Sequence, residues 1–155
     1  MALVDSWEFQ KGLVAALRAK TTLIALLASL RPTASDSGIY DAPPQGAVFP
    51  YVVVGEGIEQ QAAYFGSDGR ELLADVEIWT ADGESTPATT GAVGYRQPSS
   101  IKAIVEDVLL NDSISASGCT VTVLNIEQVD RQRDDELQPS TRTIIVRARV
   151  LLEES

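Results

Sequence analysis

A length of 155 residues with an ordinary hydrophobic fraction of 45% predicts a single soluble domain over residues 1–155, and no apolar run approaches the roughly 20 residues that span a membrane. The formal net charge of −10 has the wrong sign for stable binding to the phosphates of DNA or RNA. The sequence has no histidine and one cysteine, Cys119, which excludes an internal disulfide, the usual zinc ligand sets and histidine acid–base catalysis.

Two helices are predicted at the start of the chain. Asp5 begins a capping box, so the first helix should start at Ser6 and present one apolar face. Thr21 or Thr22 is expected to cap a second, shorter helix that ends by Arg31, before a proline. The acidic and polar N-terminus does not resemble a signal peptide, so we expect the protein to stay in the cytoplasm.

Residues 39–55 are predicted to form a strand, a turn and a second strand. Pro43, Pro44 and Gly46 combine fixed and free backbone conformations, which suit a tight reversal. The run from Tyr51 to Val54 contains only β-branched and aromatic residues, which favours a strand.

The middle of the chain predicts another strand, a long loop and a third helix. Alternating apolar residues over 72–79 indicate a half-buried strand. Residues 81–97 are rich in Gly, Ser, Thr and Pro and exceed the usual length of a connection. Apolar residues at helical spacing then predict a helix over 98–111, with Pro98 in its first turn.

The last third of the chain predicts a long hairpin. Strands at 120–126 and 141–151 flank a polar reversal over 131–140, and the alternation slips between Val123 and Leu124, which indicates a bulge or apolar contacts on both faces. Together these elements predict an α+β fold, with a mostly antiparallel sheet of four to five strands and helices packed on one face.

No group of residues in the sequence supports catalysis. Gly55-Glu56-Gly57 lacks the third glycine and the following helix of a phosphate-binding turn. Cys119 has no histidine to activate its thiol and is expected to be a small buried residue. The acidic run at 134–136 lacks the spacing of a calcium loop. We therefore expect no enzyme activity, no metal site and no cofactor.

Residues 39–55 also resemble a known family. A Tyr-Asp-x-Pro-Pro-x-Gly turn that leads into Phe-Pro-Tyr and a valine strand is similar to the tail-terminator or tail-completion proteins of long-tailed bacteriophages and gene-transfer particles. The likeness continues through the strand that ends in Trp79, the helix from Ile101 and the final strand with Arg147 and Arg149. It thus covers most of the chain.

The resemblance implies a structural virion protein that caps the tail tube as a hexameric ring and joins the tail to the head. Its implied location is the head-proximal end of the tail, after assembly in the host cytoplasm. The implied partners are other copies of the chain, the tail tube protein and head–tail connector proteins, while DNA passes through without specific binding. The alternative, from a different class, is a cytoplasmic module that binds a small ligand or peptide beside the sheet, at Leu73 and Trp79.

The implied ring also gives candidate interface and lumen residues. The candidates for a subunit or tube interface are Tyr40, Pro43, Pro44, Phe49, Tyr51, Trp79, Arg147 and Arg149. Asp134, Asp135 and Glu136 are candidates for an acidic lumen wall that repels the phosphates of passing DNA.

The two arginines of the last strand have two possible kinds of partner. Arg147 and Arg149 are two residues apart, so they project from the same face of the strand. They can pair with Asp75 or Glu77 on a neighbouring strand, or with acids of another subunit. The sequence leaves both pairings open.

Overall fold

The structure, a computed structural model, describes residues 6–55, 57–61, 70–81, 96–134 and 141–154. Within these ranges the chain forms three helices, α1 (Ser6–Ala19), α2 (Thr21–Leu30) and α3 (Arg96–Asn111). The same ranges contain six strands: β1 (Ile39–Tyr40), β2 (Tyr51–Val54), β3 (Ile58–Gln61), β4 (Arg70–Ala81), β5 (Cys119–Asp134) and β6 (Thr141–Glu154).

The strands form one sheet in the order β1-β2-β4-β6-β5, and β3 pairs with β4 beside β2. β1 and β2 are parallel, whereas every other pair of neighbours is antiparallel. The predicted α+β class and mostly antiparallel sheet are therefore confirmed. The described sheet has one strand more than the predicted four to five, because β3 has a single apolar residue, Ile58, and so shows no alternation in the sequence.

The segment between β1 and β2 is not the tight strand reversal that the sequence predicts. Ile39 pairs with Val52 and Tyr40 with Val53 in parallel register, so the chain must travel back before β2 begins. Residues Asp41 to Pro50 form this connection and are named the proline loop. Prolines signal a break in a strand, but parallel pairing depends on contacts between distant residues that turn residues do not encode.

The core lies between the helices and one face of the sheet, which confirms the predicted packing on one face. Alternate residues of β4 and β6 are buried on that face, and each helix adds residues at helical spacing. The central members of the core are Phe9, Leu13, Leu17, Leu23, Leu27, Val76, Ile78, Ile101, Val105, Val108, Ile144, Val146 and Val150. Each such side chain contributes roughly 1.5–3 kcal/mol when it leaves water. The opposite face of the sheet, named the outer face, carries the odd-numbered residues of β4 and β6.

Gln10 and Gly12 bring α1 directly against backbone. The buried Gln10 donates from Nε2 to the carbonyl oxygen of Val54 at 2.9 Å, which satisfies a polar group at the end of β2. At Gly12 a Cβ atom would overlap the carbonyl oxygen of Ser115. The helix therefore lies so close to the segment after α3 that only glycine fits at this position.

The helix boundaries agree with the sequence except at the start of α2 and at the start of α3, which begins at Arg96 instead of residue 98. α1 begins at Ser6, as predicted, while Asp5 lies outside the described residues. The predicted threonine cap of α2 is wrong: Thr21 is already helical, and Lys20 is the N-cap, without a side-chain capping hydrogen bond. Lys20 instead forms an ion pair with Asp107 of α3. In the described ranges no single helix is long and apolar enough to cross a membrane. The pair α1 and α2, bent by 73°, is long and apolar enough only when the two helices are taken together, by length and composition alone.

β5 and β6 form the predicted long hairpin, with β5 at the edge of the sheet. The register between them shifts between Val123 and Asn125 and again between Ile126 and Gln128, which confirms the predicted bulge. β5 continues to Asp134, so the first part of the predicted polar reversal is strand. Pairing with β6 satisfies the backbone of this polar segment, although its sequence has no strand pattern.

Candidate interaction surface

Four of the predicted interface residues lie together at one end of the outer face and are named the aromatic cluster. Tyr51 is at its centre, with its ring centroid 5.1 Å from that of Phe49 and 5.9 Å from that of Tyr40. Tyr51 also lies opposite Trp79 in the register of β2 and β4, and their rings stack at 6.3 Å with 15° between the planes. Such aromatic pairs contribute roughly 0.5–1.5 kcal/mol beyond their burial.

The aromatic cluster is partly open to solvent. Tyr40 is buried, whereas Phe49, Tyr51 and Trp79 keep part of their surface exposed. The indole Nε1 of Trp79 donates to Glu77 Oε1 at 3.2 Å, which holds the ring in place. Burial, and then the charge of Glu77, raise the pKa of the Tyr51 phenol, so it stays protonated at neutral pH. The cluster is therefore a partly exposed aromatic surface in which the Tyr51 phenol is neutral.

The proline loop lies beside the aromatic cluster, and Phe49 belongs to both. Pro43 and Pro44 are exposed. Within the loop, the Ala47 N–H donates to the carbonyl oxygen of Pro44 at 3.1 Å, and Gly46 has a φ of 78°. A positive φ at the third residue is the geometry of a type II turn, which favours glycine there. The predicted turn chemistry is thus present, but it closes four residues of a longer connection.

One buried arginine holds both ends of the proline loop. Arg31 is 2% exposed, and its Nε donates to the carbonyl oxygen of Val48 at 2.8 Å. Its Nη2 donates to Asp36 Oδ1 at 2.8 Å and to Tyr40 Oη at 3.0 Å. Tyr40 Oη in turn donates to Asp36 Oδ2 at 2.6 Å. These three residues, Arg31, Asp36 and Tyr40, are named the arginine clamp.

The electrostatics of the arginine clamp favour its charged carboxylate and its neutral phenol. The hydrogen bond from Tyr40, followed by the bond and charge of Arg31, lowers the pKa of Asp36. Burial, followed by the hydrogen bond to Asp36, raises the pKa of Tyr40. The sequence gives Arg31 only as the end of α2, since no local pattern marks a carbonyl partner 17 residues away.

The other end of the outer face carries ion pairs. Arg147 binds Asp75 through two hydrogen bonds of 2.8 and 3.1 Å, and this contact raises the pKa of the guanidinium. Arg149 lies 3.1 Å from Glu71 and 3.3 Å from Glu127. Of the two kinds of partner left open by the sequence, the structure thus shows pairing within one chain. The pairs of Arg147 with Asp75 and of Arg149 with Glu127 are partly exposed on both sides and contribute roughly 0–1 kcal/mol each, whereas Glu71 is buried.

The acidic run at 134–136, the turn at Gly55 and Cys119 do not form a binding or catalytic site among the described residues. Asp134 is exposed at the end of β5, while the candidates at positions 135 and 136 lie outside the described residues. A Cβ at Gly55 would lie within 4 Å of the side chains of Asp75 and Glu77, so two acidic residues lie beside this glycine, which disfavours a bound phosphate. Cys119 is half-buried rather than fully buried, because it starts the edge strand β5.

A cleft of about 410 Å³ lies between α1 and the start of the proline loop. It is lined by Trp7, Gln10, Lys11, Val14, Ala15, Arg18 and Asp41. Its lining includes neither Leu73 nor Trp79, which are the residues of the ligand-binding alternative. Among the described residues, no three His, Cys, Asp or Glu side chains come together in a way that could hold a metal ion.

The fold and these surfaces define an α+β protein whose candidate interaction surfaces are the outer face of the sheet and the proline loop. The family model described as tail completion protein gp17 matches residues 11–153. The chain belongs to this family, as its resemblance predicts, and it is a structural component of a phage-type virion and not an enzyme. As a tail protein of the virion, it assembles with other tail and head proteins.

The comparison with solved structures supports the fold. The chain is similar to a chain of a structure described as "Virion of native gene transfer agent (GTA) particle", with a TM-score of 0.69 and 22% sequence identity. The match covers 93% of each chain. No curated protein matches the sequence.

Proposed function

We propose that the protein caps the tail tube as a ring at the head-proximal end of the tail and joins the tail to the head. Membership of the tail completion family carries this proposal. The resemblance of residues 39–55 to tail terminators supports a hexameric ring, assembled in the host cytoplasm. The proposed partners are other copies of this chain, the tail tube protein and the head–tail connector proteins.

The aromatic cluster and the proline loop are the proposed contact surface. Aromatic side chains dominate the binding energy of many interfaces, because they bury a large and rigid area. Stacking on Tyr51 and the hydrogen bond to Glu77 already hold Trp79, so it loses little freedom on binding. In a ring of identical copies, contacts are heterologous, so this surface meets a different surface of the next copy or of the tube.

The ion-paired arginines extend the proposed surface along the outer face. Arg147 and Arg149 are partly exposed and already bound to carboxylates of their own chain. They therefore bring little uncompensated charge to a contact. Charged groups at the edge of an interface mainly set association rate and orientation, so we assign these arginines to partner selection rather than to affinity.

DNA passes through the proposed ring without specific binding. The formal net charge of −10 repels phosphates, and the acids at positions 134–136 are proposed to face the lumen. This assignment predicts that a ring structure places Asp134, Asp135 and Glu136 on the inner wall. Acids on the outer rim would contradict it.

Head joining tests the proposal directly. Purified protein is mixed with tails that lack their completion protein and then with filled heads, and joined particles are counted by negative-stain electron microscopy. We expect the wild-type protein to occupy the head-proximal tube end and to restore joining. If it neither binds tube ends nor restores joining, the proposed function is wrong.

Two tryptophan variants test the proposed contact surface. Trp79→Ala removes an aromatic group of the cluster, and we expect joining to fall about 10-fold or more, as for residues central to interfaces. Trp7→Ala is the control for loss of an indole outside the aromatic cluster, because Trp7 is 48% exposed on α1 and lines the cleft next to Asp41 rather than contacting the stacked rings. Equal losses in the two folded variants would contradict the assignment of the surface.

Light scattering separates the proposal from the ligand-binding alternative. The mass in solution is measured with and without purified tail tubes. A closed ring, or a species that forms only on tubes, supports the proposed function. If the protein stays monomeric and does not bind tubes, and if a small molecule raises its melting temperature, the ligand-binding alternative is favoured.

A further inference from the structure

The arginine clamp places a charged group in the interior, where stability alone does not explain it. Burial strips water from the Arg31 guanidinium, and a well-packed apolar side chain in such a place is often as stabilising or more so. A planar guanidinium differs from an apolar group in directing several hydrogen bonds at fixed angles. The geometry that Arg31 imposes is therefore the feature that needs a function.

The guanidinium of Arg31 connects the two ends of the proline loop. Tyr40, bound to Nη2, is the residue directly before the loop, and Val48, bound to Nε, lies near its other end. Nη1 also donates to the carbonyl oxygen of Asp36 at 3.4 Å. One rigid group thus sets the separation and the relative direction of both ends of the loop.

The backbone around Arg31 is shaped to accept this group. Gly38 has a φ of 77°, and a Cβ atom there would overlap Nη1 of Arg31. The carbonyl oxygen of Gly38 accepts a hydrogen bond from the Val52 N–H at 2.8 Å, which ties the same residue to β2. A glycine is needed here both for its conformation and for the space that it leaves.

We propose that Arg31 is a positioning residue, which holds the proline loop in its binding arrangement before assembly begins. The inference rests on the proposed function, in which Pro43, Pro44 and Phe49 contact a partner. Pro43 and Pro44 are exposed, so their placement depends on the turn at Gly46 and on the two ends of the loop. A loop that is ordered in advance loses less conformational entropy when it binds.

Hydrogen exchange measures this positioning without any partner. Exchange of amides is followed by mass spectrometry in wild-type protein and in the variants Arg31→Met and Arg31→Lys. For both variants we expect exchange within residues 41–49 to rise about 10-fold or more, while β4 and β6 keep their protection. Arg31→Lys keeps the charge but not the planar fork, so it should fail to restore the wild-type pattern.

Two further variants provide a milder change of the clamp and a control outside it. Tyr40→Phe removes only the hydroxyl of the clamp, and it should raise exchange in the loop by a smaller factor than Arg31→Met does. This variant tests the proposal if Arg31→Met fails to fold. Lys20→Met is the control, because it breaks the ion pairs with Asp107 and Asp112 and leaves the clamp intact. Unchanged exchange of the loop in folded Arg31→Met, or an equal rise across β4 and β6, would overturn the proposal.

Binding to tube ends separates this inference from the proposed function. Folded Arg31→Met should bind tube ends about 10-fold more weakly than wild type, whereas Lys20→Met should bind as wild type does. If the loop opens in Arg31→Met but tube binding is unchanged, Arg31 is a local structural residue and the inference is wrong. If wild type itself does not bind tubes, the proposed function fails, and the exchange result still decides whether Arg31 orders the loop.

Discussion

The proline loop and the ladder between β4 and β6 are held by different kinds of contact. β4 pairs with β6 along its whole length and buries alternate aliphatic side chains against the helices. The proline loop is held by one turn hydrogen bond, by the arginine clamp at its ends and by the contact of the Phe49 ring with Tyr51. The ladder should therefore open only when the whole molecule unfolds, whereas the loop can open alone. Stability and the shape of the proposed contact surface thus depend on different residues.

Truncation of a core residue in the ladder should give the largest effect. Ile144→Ala removes a fully buried side chain and should lower the free energy of unfolding by about 2–5 kcal/mol in urea denaturation. Its neighbour provides the control, because Ile145 is half-buried on the outer face and its truncation should cost less. Equal losses for the two variants would show that the core does not lie on the face assigned here.

Two glycine substitutions compare the helix contact with the loop. Gly12→Ala drives a Cβ into the backbone of Ser115 and should cost about 1–3 kcal/mol of global stability in urea. Gly46→Ala has open space but a positive φ, and it should cost about 1 kcal/mol within the loop. The second variant should raise exchange of the loop amides and lower the free energy of unfolding in urea by no more than about 1 kcal/mol, less than Gly12→Ala. A neutral Gly12→Ala would show that α1 does not lie on this backbone.

Acid should open the proline loop before it unfolds the ladder. The pKa of Asp36 is lowered in the folded protein, first by Tyr40 and then by Arg31, so its contribution is complete above the ordinary value of 3.8. That contribution is lost as the pH falls below 3.8 and through the lower folded pKa. Amide exchange across this range should show faster opening of residues 41–49. An Asp36→Asn variant should lack this pH dependence, and simultaneous opening of β4 would contradict the separation of the two regions.

Loss of an outer-face ion pair should have the smallest effect. Arg147→Met removes the contact with Asp75 and should change the free energy of unfolding by about 0–1 kcal/mol, because both side chains are partly exposed. The difference from wild type should shrink further at high salt, which screens exposed charges. A loss above about 2 kcal/mol, measured in urea, would place this pair among the groups that hold the ladder.

The sequence predicts the elements whose signals are local. The apolar spacing of α3, the alternation of β4 and the slip near Val123 each follow from neighbouring residues, and the structure confirms all three. The sequence also places Tyr51 and Trp79 of the aromatic cluster on predicted strands. Their stacking depends on the register between two strands, which the sequence alone does not give.

The features that escaped prediction depend on distant contacts. The parallel pairing of β1 with β2 is set by the sheet and not by Pro43 or Pro44. β3 has one apolar residue and is a strand because β4 offers it an unpaired edge. Arg31 resembles any basic residue at the end of a helix, and its role is visible only once Asp36 and Val48 are placed around it.

The bulged edge strand β5 has a consequence for copies of the protein that meet by chance. A strand of this length at the edge of a sheet has a row of backbone groups to which another chain can add, which leads to aggregation. The register shifts at Val123 and Ile126 interrupt that row. A second strand that began to pair there would meet regular spacing from Cys119 to Val123 or from Gln128 to Asp134, but not across the shifts between them. The irregularity of β5 therefore divides the free edge into two shorter segments, which disfavours continuous growth of the sheet along it.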